Sequence, residues 1–424
     1  MISDMGLMPA ARVLADVAEL AQRHPRCIAS LTLVCPPRLN SSLRDLGDRL
    51  QIIAGDQGRP ASMVRETVNS LPEAKVMWLP GYFSPPWADP VADFTTHVET
   101  ALSNVISGEP LRNDSSPEQN SEGIIAGISY RCEGKGTPVV LLPLSLASSQ
   151  WDPLLPRLSA RYRTIALGGP ELGFLAMLES RGHSMGYLHA IRRMIDTVQL
   201  QPGEIILEVG CGSGVLDRWL ADYTARNNSI VGVDVNRYLL REASALAAHE
   251  GLSDLISFRE GNAEALPIPD NHVDVALSFT VLEEGNADRM LRELIRVTKP
   301  GGRVAVMVRA IDIPLVVNIP LSPELKAKTQ IPRGFVGSEG CADASLYKRF
   351  QQLGLADTQM WPQFAASQQH DTAQAQFAHG AILGALTNDE VEEWKVGMAQ
   401  AVSGGTYFIA QPFHCAVGTK PSLS

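Results

Sequence analysis

Between an apolar run, Ile205–Val209, and a stretch of helical periodicity starting at Val215, the chain reads Glu208-Val-Gly210-Cys-Gly212-Ser-Gly214. Glycines at alternate positions accept backbone angles that residues with a Cβ resist, and they let a ligand approach the main chain. The next apolar run, Ser229–Asp234, ends on a carboxylate twenty residues after Gly214. Strand, glycine turn, helix and acid-ended strand together restrict this region to a doubly wound α/β fold. The ligand crevice of such a sheet lies at the carboxyl ends of its strands, where an acid can accept hydrogen bonds from both hydroxyls of a ribose.

The alternation continues on both sides. Helices are expected at Tyr187–Val198, Val215–Asn227, Tyr238–Glu250 and Asn286–Thr298. Strands are expected at Ile256–Glu260, Val273–Phe279 and Arg303–Val308, with a last one at Tyr407–Val417. No repeat of solenoid period is visible.

Charge and cysteine usage exclude several partner classes. A net charge of −10 and the absence of any Lys/Arg run argue against nucleic acid and anionic membranes. No run approaches the roughly 20 apolar residues of a membrane span. The first residues lack a signal pattern, so a cytoplasmic protein is expected. Six cysteines without CxxC spacing imply neither zinc nor a disulfide framework. His370 and His379 lack the spacing of a metal pair, so no metal is expected.

The series from Glu208 through Asp234, Gly261-Asn262-Ala263-Glu264-Ala265-Leu266-Pro267, Asp274–Ser278 and Lys299-Pro300-Gly301-Gly302 resembles the class I S-adenosylmethionine methyltransferases, in the small-molecule type 11 branch. A nicotinamide-type domain would carry G-x-G-x-x-G instead. The resemblance covers residues 170–310 well and the remainder loosely. It implies S-adenosyl-L-methionine as cofactor, with Gly210, Gly212 and Gly214 along its methionine and ribose and Glu208 in the same turn. By the same likeness Asp234 would hold the ribose diol and Val235 and Asn236 would lie beside the adenine. Asn262 and Ala263 would flank the adenine, with Asn262 standing where the family often has Asp. Ser278 and Thr280 would close the sulfonium end. Tyr187 would reach the methionine carboxylate, or else pack in the core.

Methyl transfer from a sulfonium releases a neutral thioether and needs no acid, so the protein mainly positions the nucleophile. A base is required only where the acceptor must lose a proton. Glu283 and Glu284 face the substrate position in the resembling family, although an acidic pair before a helix also complements its dipole. His414 is the favoured histidine. Residues 311–345 and 362–405 carry no readable motif and are expected to cover the substrate.

The front half is also patterned as α/β. Residues 109–123 read as a polar linker. Helical patterns are expected at Met8–Gln22, Val91–Val105 and Trp151–Tyr162. Strand patterns are expected at Ile28–Val34, Leu50–Ala54, Gly127–Cys132, Val139–Leu142 and Arg163–Ala166. Residues 124–172 resemble the opening of an α/β-hydrolase and residues 1–108 its later half, in permuted order. Its functional positions are degenerate. Asp4 stands at the nucleophile, Gly58 or Asp56 at the acid, Tyr82 at the histidine, and Pro143-Leu144 at the oxyanion loop. Without an imidazole no base activates a nucleophile.

The chain is therefore expected to be a Rossmann-like methyltransferase over residues 173–424, acting on a small-molecule acceptor. A pseudo-hydrolase scaffold would precede it, and a homodimer is expected. A bifunctional enzyme with residual hydrolase activity, and a non-catalytic S-adenosylmethionine-binding protein, remain as alternatives.

Overall fold

The computed structural model describes residues 17–36, 39, 41–84, 88–107, 120–125, 128–144, 146–169, 172–332, 336–370 and 373–422. The chain divides into two compact units, Met1–Met177 and Leu178–Ser424.

In the first unit, β1 (Leu31–Val34), β2 (Leu50–Gln57) and β3 (Lys75–Phe83) form a parallel sheet in that order. A second sheet has the order β4-β5-β7-β6, from Ser121–Ile125, Ile128–Glu133, Arg163–Gly168 and Pro138–Leu141. Within it β4/β5 and β5/β7 are antiparallel and β6/β7 parallel. Residues of both sheets share one core, in which Val34, Ile53 and Leu79 meet Leu141, Trp151 and Ala166.

The second unit is built on one large sheet. Its strands are β8 (Ile205–Val209), β9 (Ser229–Asp234), β10 (Ile256–Glu260), β11 (Val273–Phe279), β12 (Thr298–Arg309), β13 (Val316–Val317), β14 (Ala356–Ser367) and β15 (Ile409–Thr419). The order is β10-β9-β8-β11-β12-β15, with β14 on the far side of β15 and the short β13 continuing beside it. The first five strands are parallel, and β15 runs antiparallel to both β12 and β14. β11 is buried along nearly its whole length, as expected of a parallel strand covered on both faces.

Helices cover the two faces because their apolar residues recur at helical spacing. On Ala287–Val297 the buried residues are Ala287, Met290, Leu291, Leu294 and Val297, one continuous stripe. Its start is fixed by Asn286, whose side chain accepts the Arg289 N–H. Asn236 does the same for Arg237–His249 through the Leu239 N–H. Such caps are each worth about 1 kcal/mol. The opposite face carries Met185–Val198 and Val215–Tyr223, packed over Ile206, Leu277 and Met307.

Most strands expected in the second unit stand within a few residues of their predicted bounds. Several segments correct the sequence reading. The helix from Val215 ends at Tyr223 rather than Asn227, because Ala225 and Arg226 turn to positive φ. Trp151–Tyr162 is no continuous helix, but a 3-10 turn at Ser148–Trp151 and a short helix at Leu155–Ser159. Val91–Val105 is broken at Phe94 into Pro90–Asp93 and Thr95–Ser107. Residues 121–123 of the expected linker belong to β4, and 109–119 lie outside the described residues. So does most of the Met8–Gln22 helix, with only 17–22 described and helical.

Leu291 is fully buried under β11 and β12. Leu291→Ala is expected to destabilise the second unit by about 2–5 kcal/mol, read as a lower urea midpoint.

Candidate functional site

The glycine turn between β8 and the helix Val215–Tyr223 lies at the carboxyl ends of the parallel strands. Gly210, Gly212 and Gly214 all take positive φ, at 77°, 55° and 68°. A Cβ on Gly210 would overlap Val281, and one on Gly214 would come within 2.6 Å of the Phe258 ring. At Gly212 the nearest atom to a built Cβ is Leu178 Cδ1 at 3.6 Å. Gly210 and Gly214 are therefore fixed by packing, and Gly212 presents the accessible stretch of backbone.

Asp234 clasps the turn. Gly212 N–H donates to its Oδ2 (2.9 Å) and Asn236 N–H to its Oδ1 (2.8 Å). Each oxygen keeps a lone pair for a further donor. The residue is half-buried, which raises its affinity for a proton, while the backbone N–H groups oppose that shift.

Several polar atoms around the turn are buried without a hydrogen-bond partner among the described residues: Tyr187 OH, Ser213 Oγ, Glu208 Oε2 and Glu283 Oε2. Such atoms cost about 1–3 kcal/mol each if nothing meets them. Together with the accessible backbone at Gly212, they suit a ligand with hydroxyl, ammonium and carboxylate groups. The Arg181 guanidinium lies over the Tyr187 ring, 5.5 Å from its centre. Arg181 and Arg309 both act electrostatically on Tyr187, Glu283 and Glu284, so two cations border the same crevice.

Glu283 and Glu284 follow β11. Glu283 is fully buried, and its Oε1 accepts the Arg309 N–H (2.8 Å) with Arg309 Nη1 at 3.5 Å. Burial raises its pKa. The segment 337–341 lies against this stretch: Gly337 N–H donates to Glu283 O (2.7 Å) and Cys341 N–H to Leu282 O (2.9 Å). Glu284 keeps a solvent-exposed face. Even so, the protein around it raises its pKa to about 7, with Arg309 opposing and Glu283 and Asp234 assisting. Thr280, just before them, takes φ 59°, an outlier for a β-branched residue. Its N–H is held by Met307 O (2.7 Å).

The remaining sequence-selected residues are placed as follows. Val235 is exposed beside Asp234, and Asn236 caps the next helix. Asn262 Oδ1 accepts the Glu264 N–H (2.8 Å), and Ala263 is buried next to it. Ser278 is fully buried and its Oγ donates to Val209 O (3.2 Å), tying β11 to β8. His414 lies on the face of β15 covered by the helix Ser345–Gln352. Its Nδ1 meets Tyr347 OH (2.7 Å) and its Nε2 meets Asp312 Oδ1 (2.8 Å). Both ring nitrogens are thus engaged.

Arg181, Arg309, Ser213 and Asp217 were not selected from sequence. Arg309 had a positional signal, since it follows directly on the apolar run of β12 at its carboxyl end. Arg181 had none. Among the described residues no group of three or more His, Cys, Asp or Glu is placed to hold a metal ion. No described helix is long and apolar enough to cross a membrane.

Residues 207–306, which hold the turn, Asp234 and both glutamates, match the protein family described as a methyltransferase domain. A demethylmenaquinone methyltransferase of Symbiobacterium thermophilum is 35% identical over 113 residues, 26% of this chain and 45% of that protein. A ubiquinone/menaquinone biosynthesis C-methyltransferase of Hydrogenovibrio crunogenus is 32% identical over 117 residues, 27% of this chain and 46% of that one. The chain thus spans about half the length of the curated relatives it matches. A solved SAM-dependent methyltransferase from Aquifex aeolicus aligns over 56% of this chain and 92% of its own, at 14% identity and a TM-score of 0.33, too weak a likeness to bear on function. The second unit carries a Rossmann-like, class I methyltransferase domain, and its cofactor is S-adenosylmethionine.

Asp234→Ala is expected to weaken S-adenosylmethionine binding by about 1–3 kcal/mol, measured by calorimetry. Gly212→Ala is expected to leave the unit folded while lowering cofactor affinity. Gly210→Ala, driven into Val281, is expected to lower the unfolding midpoint itself.

Proposed function

We propose that the protein transfers a methyl group from S-adenosylmethionine to a small-molecule acceptor bound over the carboxyl edge of the large sheet. The observation that carries this reading is the set of unpartnered buried polar atoms facing the glycine turn, beside the Asp234 clasp. When bound, the cofactor supplies an electrophilic methyl on sulfur. Gly212 and Asp234 would hold its ribose side and Tyr187 and Glu208 its amino-acid side. Val235, Asn262 and Ala263 would border the adenine, and Thr280 the sulfonium end. Segments 311–345 and 362–405 would exclude water from the acceptor.

Glu284 is the base in this reading. It combines a solvent-facing side with a pKa near neutrality, the range in which a carboxylate accepts a proton most effectively. Glu283 is bound to the Arg309 backbone and positions that corner. His414, engaged on both nitrogens, fastens the 312–347 region to β15. The relatives named as acting in menaquinone and ubiquinone biosynthesis make an acidic hydroxylated aromatic ring the first acceptor class to try. Such a ring loses a hydroxyl proton before or as its carbon attacks the methyl. No described basic cluster or aromatic-rich strand suits nucleic acid.

The first unit supports a permuted, degenerate α/β-hydrolase-like scaffold. Asp56, close to the expected acid slot at Gly58, receives backbone hydrogen bonds from Gly81 and Tyr82, which supports an acid region adjoining the histidine slot at the strand ends. Tyr82, in the histidine slot, donates instead to Asp93 (2.8 Å). Asp4 lies outside the described residues. A cytoplasmic homodimer with this unit as scaffold completes the proposal.

The test is incorporation of labelled methyl from S-adenosylmethionine by the full chain into a panel of hydroquinones and phenols. Failure to bind S-adenosylmethionine or S-adenosylhomocysteine would overturn the reading. Because a base works ionised, kcat is expected to rise with pH through about 7 and level off above it. In Glu284→Gln that rise should vanish, with kcat lowered about 10²–10⁴-fold.

A further inference from the structure

Beneath the glycine turn lie two carboxyl groups that the proposed chemistry leaves without an account. Glu208 ends β8 with 2% of its surface exposed, and Asp217, in the first turn of Val215–Tyr223, is fully buried. The two side chains are within hydrogen-bonding reach of each other. Neither Asp217 oxygen meets a donor among the described residues, and Glu208 Oε2 meets none either.

The neighbouring cations, Arg181 beside Glu208 and Arg218 beside Asp217, relieve them only in part. Arg218, next along the helix, directs its Nε to Glu250 (2.9 Å), its Nη1 to Ser213 O (2.8 Å) and its Nη2 to Glu179. Cys211 in the turn and Asp234 on β9 interact electrostatically with the pair, and Asp234 adds negative charge. Tyr187, on the helix Met185–Val198, and Arg181, on the turn before it, also interact electrostatically with Glu208. Two ionised carboxylates in contact inside protein repel each other strongly, whereas a carboxyl bonded to a carboxylate is stable. One proton held between them resolves both the burial and the missing donors.

We propose that Glu208 and Asp217 share one proton in the free protein and release it when the cationic cofactor binds, making Asp217 a positioning residue for that site. The inference rests on the cofactor reading above. A sulfonium and an ammonium entering the crevice favour ionised Glu208, and the displaced proton passes to solvent. No other bond changes. Binding and proton release are then linked, so acid weakens the cofactor and alkali strengthens it until the pair is ionised without it.

The experiment is calorimetric titration of S-adenosylmethionine into the full chain at pH 7, in buffers of differing ionisation enthalpy. It is done in the Glu284→Gln background, because Glu284 titrates in the same range. The expected slope corresponds to release approaching one proton per cofactor. Affinity is expected to fall by up to about tenfold per unit of pH on the acid side. Asp217→Asn, which puts an amide donor on Glu208, is expected to abolish both the proton release and the pH dependence while still binding. S-adenosylhomocysteine, with a neutral sulfur, is expected to release a smaller fraction. Binding heat independent of buffer overturns the inference and leaves the cofactor reading intact. An Asp217→Asn variant that binds more weakly but still releases the proton also overturns it. If that variant does not fold, the buffer dependence and pH profile of the parent protein decide alone. Absence of any binding heat overturns the cofactor reading itself.

Discussion

The Asp234 carboxylate is the joint on which the second unit's site depends. Its two oxygens tie the glycine turn after β8 to the cap of the helix after β9, through Gly212 and Asn236. Gly210 N–H reaches back to Val233 O (2.7 Å), so adjacent strand ends are laced together twice. Without that lacing, a turn with left-handed glycines at three alternate positions would be a flexible loop. With it, the turn's backbone is held in one conformation, its glycine N–H groups bonded within the protein, and the orphaned side chains around it gain a common focus.

Most of the parallel part of this sheet was legible in the sequence because buried parallel strands read as apolar runs. The mostly exposed edge strand β10, Ile-Ser-Phe-Arg-Glu, was legible only from its place in the alternation. Ile205–Val209, Ser229–Asp234, Ile256–Glu260 and Val273–Phe279 stand at the predicted bounds. The other edge was not legible. β14, Ala-Asp-Thr-Gln-Met-Trp-Pro-Gln-Phe-Ala-Ala-Ser, is half exposed and contains Pro362, a composition that reads as loop. An outer strand tolerates proline because one side of it needs no ladder donors. β3 was missed for a similar reason, with Pro80 and Gly81 inside it. Helices Gly58–Val68 and Asn388–Ser403 bury only narrow stripes, Ala61-Val64-Val68 and Trp394-Met398-Ala401, amid polar neighbours, and the second is started by its Thr387–Glu390 capping box.

Site residues divided along the same line. Those in the turn and at strand ends follow from spacing, since backbone geometry places them. Arg181 and Asp217 owe their positions to packing of helices against the sheet, which a linear pattern does not encode. Ser278 and His414 show the converse. Each has chemistry that invites a role, and each is already bonded within the protein, to Val209 in one case and to Tyr347 and Asp312 in the other.

The crevice floor carries Glu208, Asp234, Glu283 and Glu284, opposed by Arg181 and Arg309 alone among the cations described as acting on them. On the proposed reading, the reaction removes one positive charge from the molecule resting there. Attraction that holds the donor thus fades once the methyl has left, and the spent molecule sits on a surface suited to its predecessor. The floor would act as a one-way valve on occupancy, exchanging used cofactor for fresh without a moving part.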